Sequence, residues 1–240
     1  VAALSAPDAD QLQRALIKGT VEVNVVLDVI SHGEVISGNV IAEIPGETDE
    51  IVLIGGHLDS WDLGTGAIDD GAGIGITVGA AKLILDLNKT PRRTIRIVMF
   101  GSEEVGLIGA KAYAKKYRDR LDKHIVGAES DFGAGKIWKF DTNFAQEKLF
   151  LAEAMHKVLE PLGIGRGDNN ASGGPDIGPL RELGVPAVTL KQNGWDYFDY
   201  HHTADDTLDK IDKADIAQNV AAYAAFVWMA ANIDGHFRKD

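Results

Sequence analysis

A chain of 240 residues with 45% hydrophobic content can bury one sizeable core and needs no division into two domains. Its 36 acidic residues outweigh 24 lysines and arginines, and a net charge of −12 is the wrong sign for holding a nucleic-acid backbone. The absence of cysteine removes disulfides, thiolate metal sites and a cysteine nucleophile together, leaving any zinc to His, Asp and Glu, and no apolar run approaches the ~20 residues that span a bilayer.

The chain opens at Val1 in a polar segment without an initiator methionine, which reads as a processed form or one domain of a longer precursor. Residues 8–16 read as a short capped helix, with acidic residues where the first turn exposes unpaired N–H groups and Lys18-Gly19 at its end. Residues 21–30 and 35–44 are β-branched runs with alternating polar positions on either side of Ser31-His32-Gly33-Glu34, the pattern of a hairpin. From Ile51 the pattern changes to short apolar strands, each followed by a Gly-rich or acidic loop and then a helix. Strands are expected at 51–54, 94–100, 125–129 and 187–191, with one more at 136–140 along an edge. Helices are expected at 71–87, 106–121, 144–162, 177–183 and 214–232. The aperiodic Gly, Asn and Asp stretch 163–174 reads as a long loop and a wall of the site. The fold class is α/β over residues 1–240: a mostly parallel twisted sheet with helices on both faces, preceded by an N-terminal helix and lead-in over 1–20.

On this outline His57 and Asp59 follow one strand, Glu103 and Glu104 a second, Asp131 a third and His202 the last. In open α/β sheets the carboxyl ends of parallel strands form the ligand crevice, so residues distant in sequence converge there. Each has a plainer reading: His57-Leu58-Asp59 as a surface pair, Ser102-Glu103-Glu104 as an acidic helix start, Asp131 as a turn cap, and His201-His202 as a surface pair. Asp69-Asp70, among the glycines of Gly64 to Gly73, reads as a flexible loop with a helix N-cap. A cap accounts for one of these aspartates and not the other, and adjacent carboxylates repel unless a cation or hydrogen bonds intervene. The argument for a site is the conjunction of these groups at one sheet edge.

The stretches Gly56-His57-Leu58-Asp59-Ser60-Trp61-Asp62, Gly66-Ala67-Ile68-Asp69-Asp70-Gly71, Ser102-Glu103-Glu104 and His202-Thr203-Ala204-Asp205-Asp206-Thr207 resemble, in order, the motifs of the co-catalytic zinc exopeptidases. That family includes leucyl aminopeptidases, aminopeptidase Y and plasma glutamate carboxypeptidase. Trp61-Asp62 and Gly173-Gly174-Pro175-Asp176-Ile177 are most similar to the carboxypeptidase Q branch, whose members are dipeptidases. The resemblance implies a three-layer α/β/α fold of phosphorylase/hydrolase-like type and two Zn²⁺ held by His57, Asp69, Glu104, Asp131 and His202. It also implies Glu103 as catalytic base and Asp59 as the residue orienting the first histidine. If Asp69 bridges, one ion has His57 and Asp131, the other His202 and Glu104, and a shared water completes four donors each. His202 is preferred to His201 because Thr203 and Asp206-Thr207 follow it in the family's spacing.

Tyr200, His201 and Gly173 are the expected substrate contacts. The partners implied are a peptide or dipeptide substrate and, in solution, a homodimer; neither nucleic acid nor a membrane is among them. The resemblance further implies a secreted or periplasmic location, and a preceding segment and protease-associated domain that are not present before Val1. A glutaminyl cyclase-like acyltransferase with a single zinc, or a silent binding domain of the same fold, are the alternatives from other function classes.

Overall fold

In the computed structural model, which describes residues 4–238, the apolar runs assemble into a seven-stranded mixed sheet. The strands are β1 (Val40–Ile44), β2 (Thr48–His57), β3 (Arg93–Phe100), β4 (His124–Glu129), β5 (Ile137–Asn143), β6 (Gly165–Arg166) and β7 (Ala187–Gln192). Their spatial order is β1-β3-β2-β4-β7-β5-β6. The β3-β2-β4-β7 centre is parallel, whereas β1 joins β3 and β5 joins β7 antiparallel. Along β2, Val52 and Ile54 enter one apolar cluster while Ile51 and Leu53 enter the other. A strand covered on both faces reads as a continuous apolar run for this reason.

The helices are α1 (Ala6–Lys18), α2 (Ala72–Asp86), α3 (Ile108–Lys116), α4 (Leu149–Leu159), α5 (Gly178–Glu182), α6 (Tyr197–Tyr200) and α7 (Lys213–Asn232). Ile76 and Ile84 of α2, Met155 of α4 and Phe226 of α7 fill the larger cluster, and Tyr113 of α3 and Leu180 of α5 fill the smaller one. Among the described residues no helix is long and apolar enough to cross a membrane.

Three expectations need correction. The hairpin over 21–44 is not formed: only Val40–Ile44 is a strand, and Val26, Val29, Val35 and Ile36 lie exposed. β propensity expresses packing on a pleated, half-covered surface, and residues 21–38 have none to pack on. The strand near 136–140 is an interior one, with β7 on one side and the two-residue β6 on the other; β6 itself falls inside the stretch expected to be loop. The helix expected over 106–121 stops at Lys116 and continues as a 3₁₀ segment over Arg118–Lys123.

Beneath that segment His124 is buried. Its Nδ1–H donates to the Arg120 carbonyl at 3.0 Å, and its Nε2 accepts from the Tyr113 hydroxyl at 2.8 Å, so the ring is neutral. Burial pushes the pKa down to about 4 from the ordinary 6.5, against the pull of the Arg120 carbonyl. A histidine held neutral stabilises the fold in full above its unfolded pKa, and that contribution is lost as pH falls from about 6.5 towards 4. The expected loss is about 3 kcal/mol over that window. Denaturant unfolding of wild type and His124→Gln at pH 7 and 4.5 checks it; equal pH sensitivity in the two proteins would refute the assignment.

Candidate metal centre

Because β2, β3, β4 and β7 run parallel, their carboxyl ends share one edge of the sheet. His57 closes β2, Glu103 and Glu104 follow β3, Asp131 follows β4, and His201 and His202 follow α6 beyond β7. Asp69 reaches the same place from the turn before α2. Its Oδ1 lies 3.0 Å from His57 Nε2, while its Oδ2 lies 3.1 Å from His202 Nε2 and 3.3 Å from His201 Nε2. His57 Nε2 is also 3.5 Å from Asp131 Oδ1, and His202 Nε2 is 3.0 Å from Glu104 Oε2. Thus all five residues named from sequence as ligands come together, and Asp69 sits between the two histidines.

The neighbouring residues explain how an acidic pair is held there. Asp70 is held by main-chain groups: its Oδ1 accepts from Gly73 N–H in the first turn of α2 and its Oδ2 from His57 N–H. A Cβ at Gly56 or Gly73 would collide with that carboxylate, so both positions require glycine. Asp206, from the far end of the chain, accepts from the N–H groups of Ile68 and Asp69 at 2.5 and 3.2 Å. Asp206 lies within a motif already quoted, but nothing local in the sequence signals that it reaches back 137 residues to hold the Asp69 turn.

Asp59 behaves differently from expectation. Its carboxylate is 3.9 Å from His57 Nδ1, and it is the Asp59 main-chain carbonyl, at 2.7 Å, that meets the ring. A carbonyl only accepts, so Nδ1 carries hydrogen and Nε2 is the nitrogen left for an ion. The Asp59 carboxylate instead accepts from the N–H groups of Glu103 and Glu104, at 2.9 and 3.1 Å. The preceding Ser102 has φ +59°, a left-handed conformation that these bonds help to hold.

Electrostatics reflects the crowding. Burial acts to lower the His57 pKa, but Asp131 and Asp69 outweigh it and hold the ring far above the usual imidazole range. Burial pulls the Asp69 pKa up, and the surrounding histidines bring it below its ordinary value. Glu103 is pushed up to about 7, first by burial and then by Asp131 and Glu104. Glu104 and Asp131 are raised by burial as well.

Among the described residues two sets could hold a metal ion: His57 with Asp69 and Asp131, and Asp69 with His201 and His202. Two donors on one tetrahedral zinc at 2.0–2.1 Å stand ~3.3 Å apart, which is the spacing found here. Glu104 Oε1 is moreover buried with no hydrogen-bond partner among the described residues. All the donors are N or O, a set that suits zinc.

A cavity of about 540 Å³ opens over these groups and is lined by Glu103, Glu104, Asp131, His201 and His202, with Phe132 and Phe198 as apolar walls. Asp131, Phe132 and Pro175 are shared with an adjoining cavity of about 680 Å³ walled by Trp138 and Trp195. Of the three expected substrate contacts, only His201 lines the first cavity. Gly173 turns inward, where its carbonyl accepts from Glu129 N–H and a Cβ would press on Ile177. Tyr200 lines a separate cavity, with the Lys210 ammonium 5.9 Å from its ring centre.

An α/β sheet here gathers histidine and carboxylate sets able to hold metal ions at its carboxyl edge. The chain belongs to peptidase family M28, whose family model matches residues 39–227. Mouse carboxypeptidase Q is 30% identical over 236 residues, covering 97% of this chain and 50% of that protein. The crystal structure of a peptidase M28 precursor from Shewanella amazonensis superposes with a TM-score of 0.82 at 57% identity, over 84% of this chain and 46% of that one. An aminopeptidase from an Aneurinibacillus strain superposes at 0.63 with 27% identity, over 83% of this chain and 49% of that one. The chain therefore spans about half the length of the relatives it matches.

Proposed function

We propose that this chain is a di-zinc exopeptidase domain that hydrolyses the peptide bond beside a free N-terminus, in dipeptides or at the end of longer peptides. The observation that carries this reading is Asp69, with one oxygen facing His57 and the other facing His202. Asp69 would bridge two ions, one completed by His57 and Asp131, the other by His202 and Glu104. His202 is the ligand rather than His201 because it alone of the two also meets Glu104.

When bound, the zinc ions supply Lewis acidity that polarises the scissile carbonyl and acidifies water. Glu103 is the proton carrier: it lines the cavity beside the proposed ligands without being one of them, which leaves its carboxylate free to accept the water's proton and return it to the leaving amine. Asp59 keeps this carrier and Glu104 in register by fixing both of their N–H groups. Phe132 and the adjoining apolar cavity take a substrate side chain. The same reading assigns the protein to a secreted or periplasmic location.

Zinc titration together with hydrolysis of dipeptides, aminoacyl anilides and N-acetylated dipeptides tests the proposal. Two zinc ions per chain are expected, with cleavage of the substrates bearing a free amino group and loss of cleavage in chelator. A protein carrying two zinc ions that hydrolyses none of these substrates would overturn the exopeptidase reading, and a single-zinc protein would favour an acyltransferase of the glutaminyl cyclase kind.

A further inference from the structure

The loop after β2 ends the motif His57-Leu58-Asp59-Ser60-Trp61, and its tryptophan has no place in the chemistry above. Trp61 is half exposed and belongs to none of the three buried apolar clusters, so packing does not account for it. Its indole Nε1–H instead donates to Glu104 Oε2 at 2.8 Å. Its ring centre lies 5.7 Å from that of His202, with the planes inclined at 59°. Trp61 therefore touches both groups that belong only to the second metal position.

We propose that Trp61 is a positioning residue for the second metal, holding the Glu104 carboxylate against His202. This rests on the two-metal reading. An indole N–H is a donor with no acceptor capacity, so it fixes a carboxylate without competing for the ion. Glu104 is then held at both ends: its N–H by the Asp59 carboxylate, its Oε2 by Trp61, with Oε1 buried and unpartnered among the described residues. The two positions differ in their need for such support. The His57 side chain is 1% exposed and locked among neighbours, whereas that of His202 is 31% exposed. The Glu104 carboxylate faces this more open histidine from a side chain one methylene longer than that of Asp131, and groups that orient a ligand typically carry 10–100-fold in metal affinity.

Calorimetric zinc titration of wild type and Trp61→Phe tests the assignment, with melting of the metal-free proteins as a control. Trp61→Phe keeps an aromatic side chain and removes the N–H. The expected result is that one of the two zinc sites weakens about 10–100-fold while the other, and the metal-free melting temperature, stay unchanged. In a Glu104→Ala background the same change is expected to have no further effect on zinc binding, because the group it positions is gone. Unchanged affinity at both sites in Trp61→Phe overturns the proposal, as does equal weakening of both or a lowered metal-free melting temperature, each of which marks a general structural role. Wild type binding fewer than two zinc ions would instead remove the two-metal reading, before any variant is compared.

Discussion

Glu103→Gln is expected to retain two zinc ions while kcat falls about 10²–10⁴-fold, the range carried by a positioned proton-transfer group. The substitution is close to isosteric, and the hydrogen bonds made at Glu103 among the described residues are all main-chain: its N–H donates to Asp59 and its carbonyl accepts from the N–H groups of Gly106 and Leu107. The turn and the neighbouring Glu104 should therefore stay where they are. An amide in place of the carboxylate removes the ability to take a proton from water, so the loss should appear in kcat, with KM little changed. Zinc content by plasma emission and steady-state kinetics on a dipeptide read the two quantities separately. Normal turnover in the variant would take Glu103 out of the mechanism, and turnover lost together with zinc would recast it as a ligand.

Asp69→Asn is expected to reduce occupancy at both metal positions together, by more than the 10–100-fold typical of a supporting group. In the wild type each carboxylate oxygen faces a different histidine, at 3.0 and 3.1 Å. An asparagine keeps one acceptor and replaces the other with an NH₂ that repels a cation. It also removes the charge at the centre of the cluster, where burial is offset only by the surrounding histidines. Zinc-induced thermal stabilisation should shrink correspondingly, since a ligand that binds only the folded state raises stability in proportion to its occupancy. Two zinc ions still tightly bound to Asp69→Asn would end the bridging assignment; loss of one alone would reassign Asp69 to a single ion.

The strands that carry the site were legible because they are buried on both faces, and that burial writes itself into the chain as runs such as Ile51-Val52-Leu53-Ile54. The helix after Asp69-Asp70 was legible for a related reason, its apolar spacing. Residues 21–30 carry as strong a local β signal, yet they remain unpaired, because alternation states what a strand could bury and not whether a partner surface lies beside it. The short α6 and β6 carry too few residues for any period to emerge. Within the site, residue types and spacing mark the sheet edge, and it is the resemblance to the co-catalytic exopeptidases that singles out His57, Asp69, Glu104, Asp131 and His202; of the expected substrate contacts, Gly173 is turned to Glu129 and Tyr200 lines a separate cavity.

By itself the sequence determined the donor chemistry: a chain without cysteine, with acidic and histidine residues placed after apolar strands, has one sheet edge at which N and O donors gather. Tertiary structure alone decided how these donors divide the work. It tied Asp70 to the Gly73 and His57 amides, set the two Asp69 oxygens against different histidines, turned Asp59 towards the Glu103 and Glu104 amides, brought Asp206 across the fold, and set Trp61 on Glu104. The physical reason is range. Strand and helix periods are set by neighbours a few residues away, whereas the orientation of a ligand depends on hydrogen bonds between segments that meet only when the sheet closes.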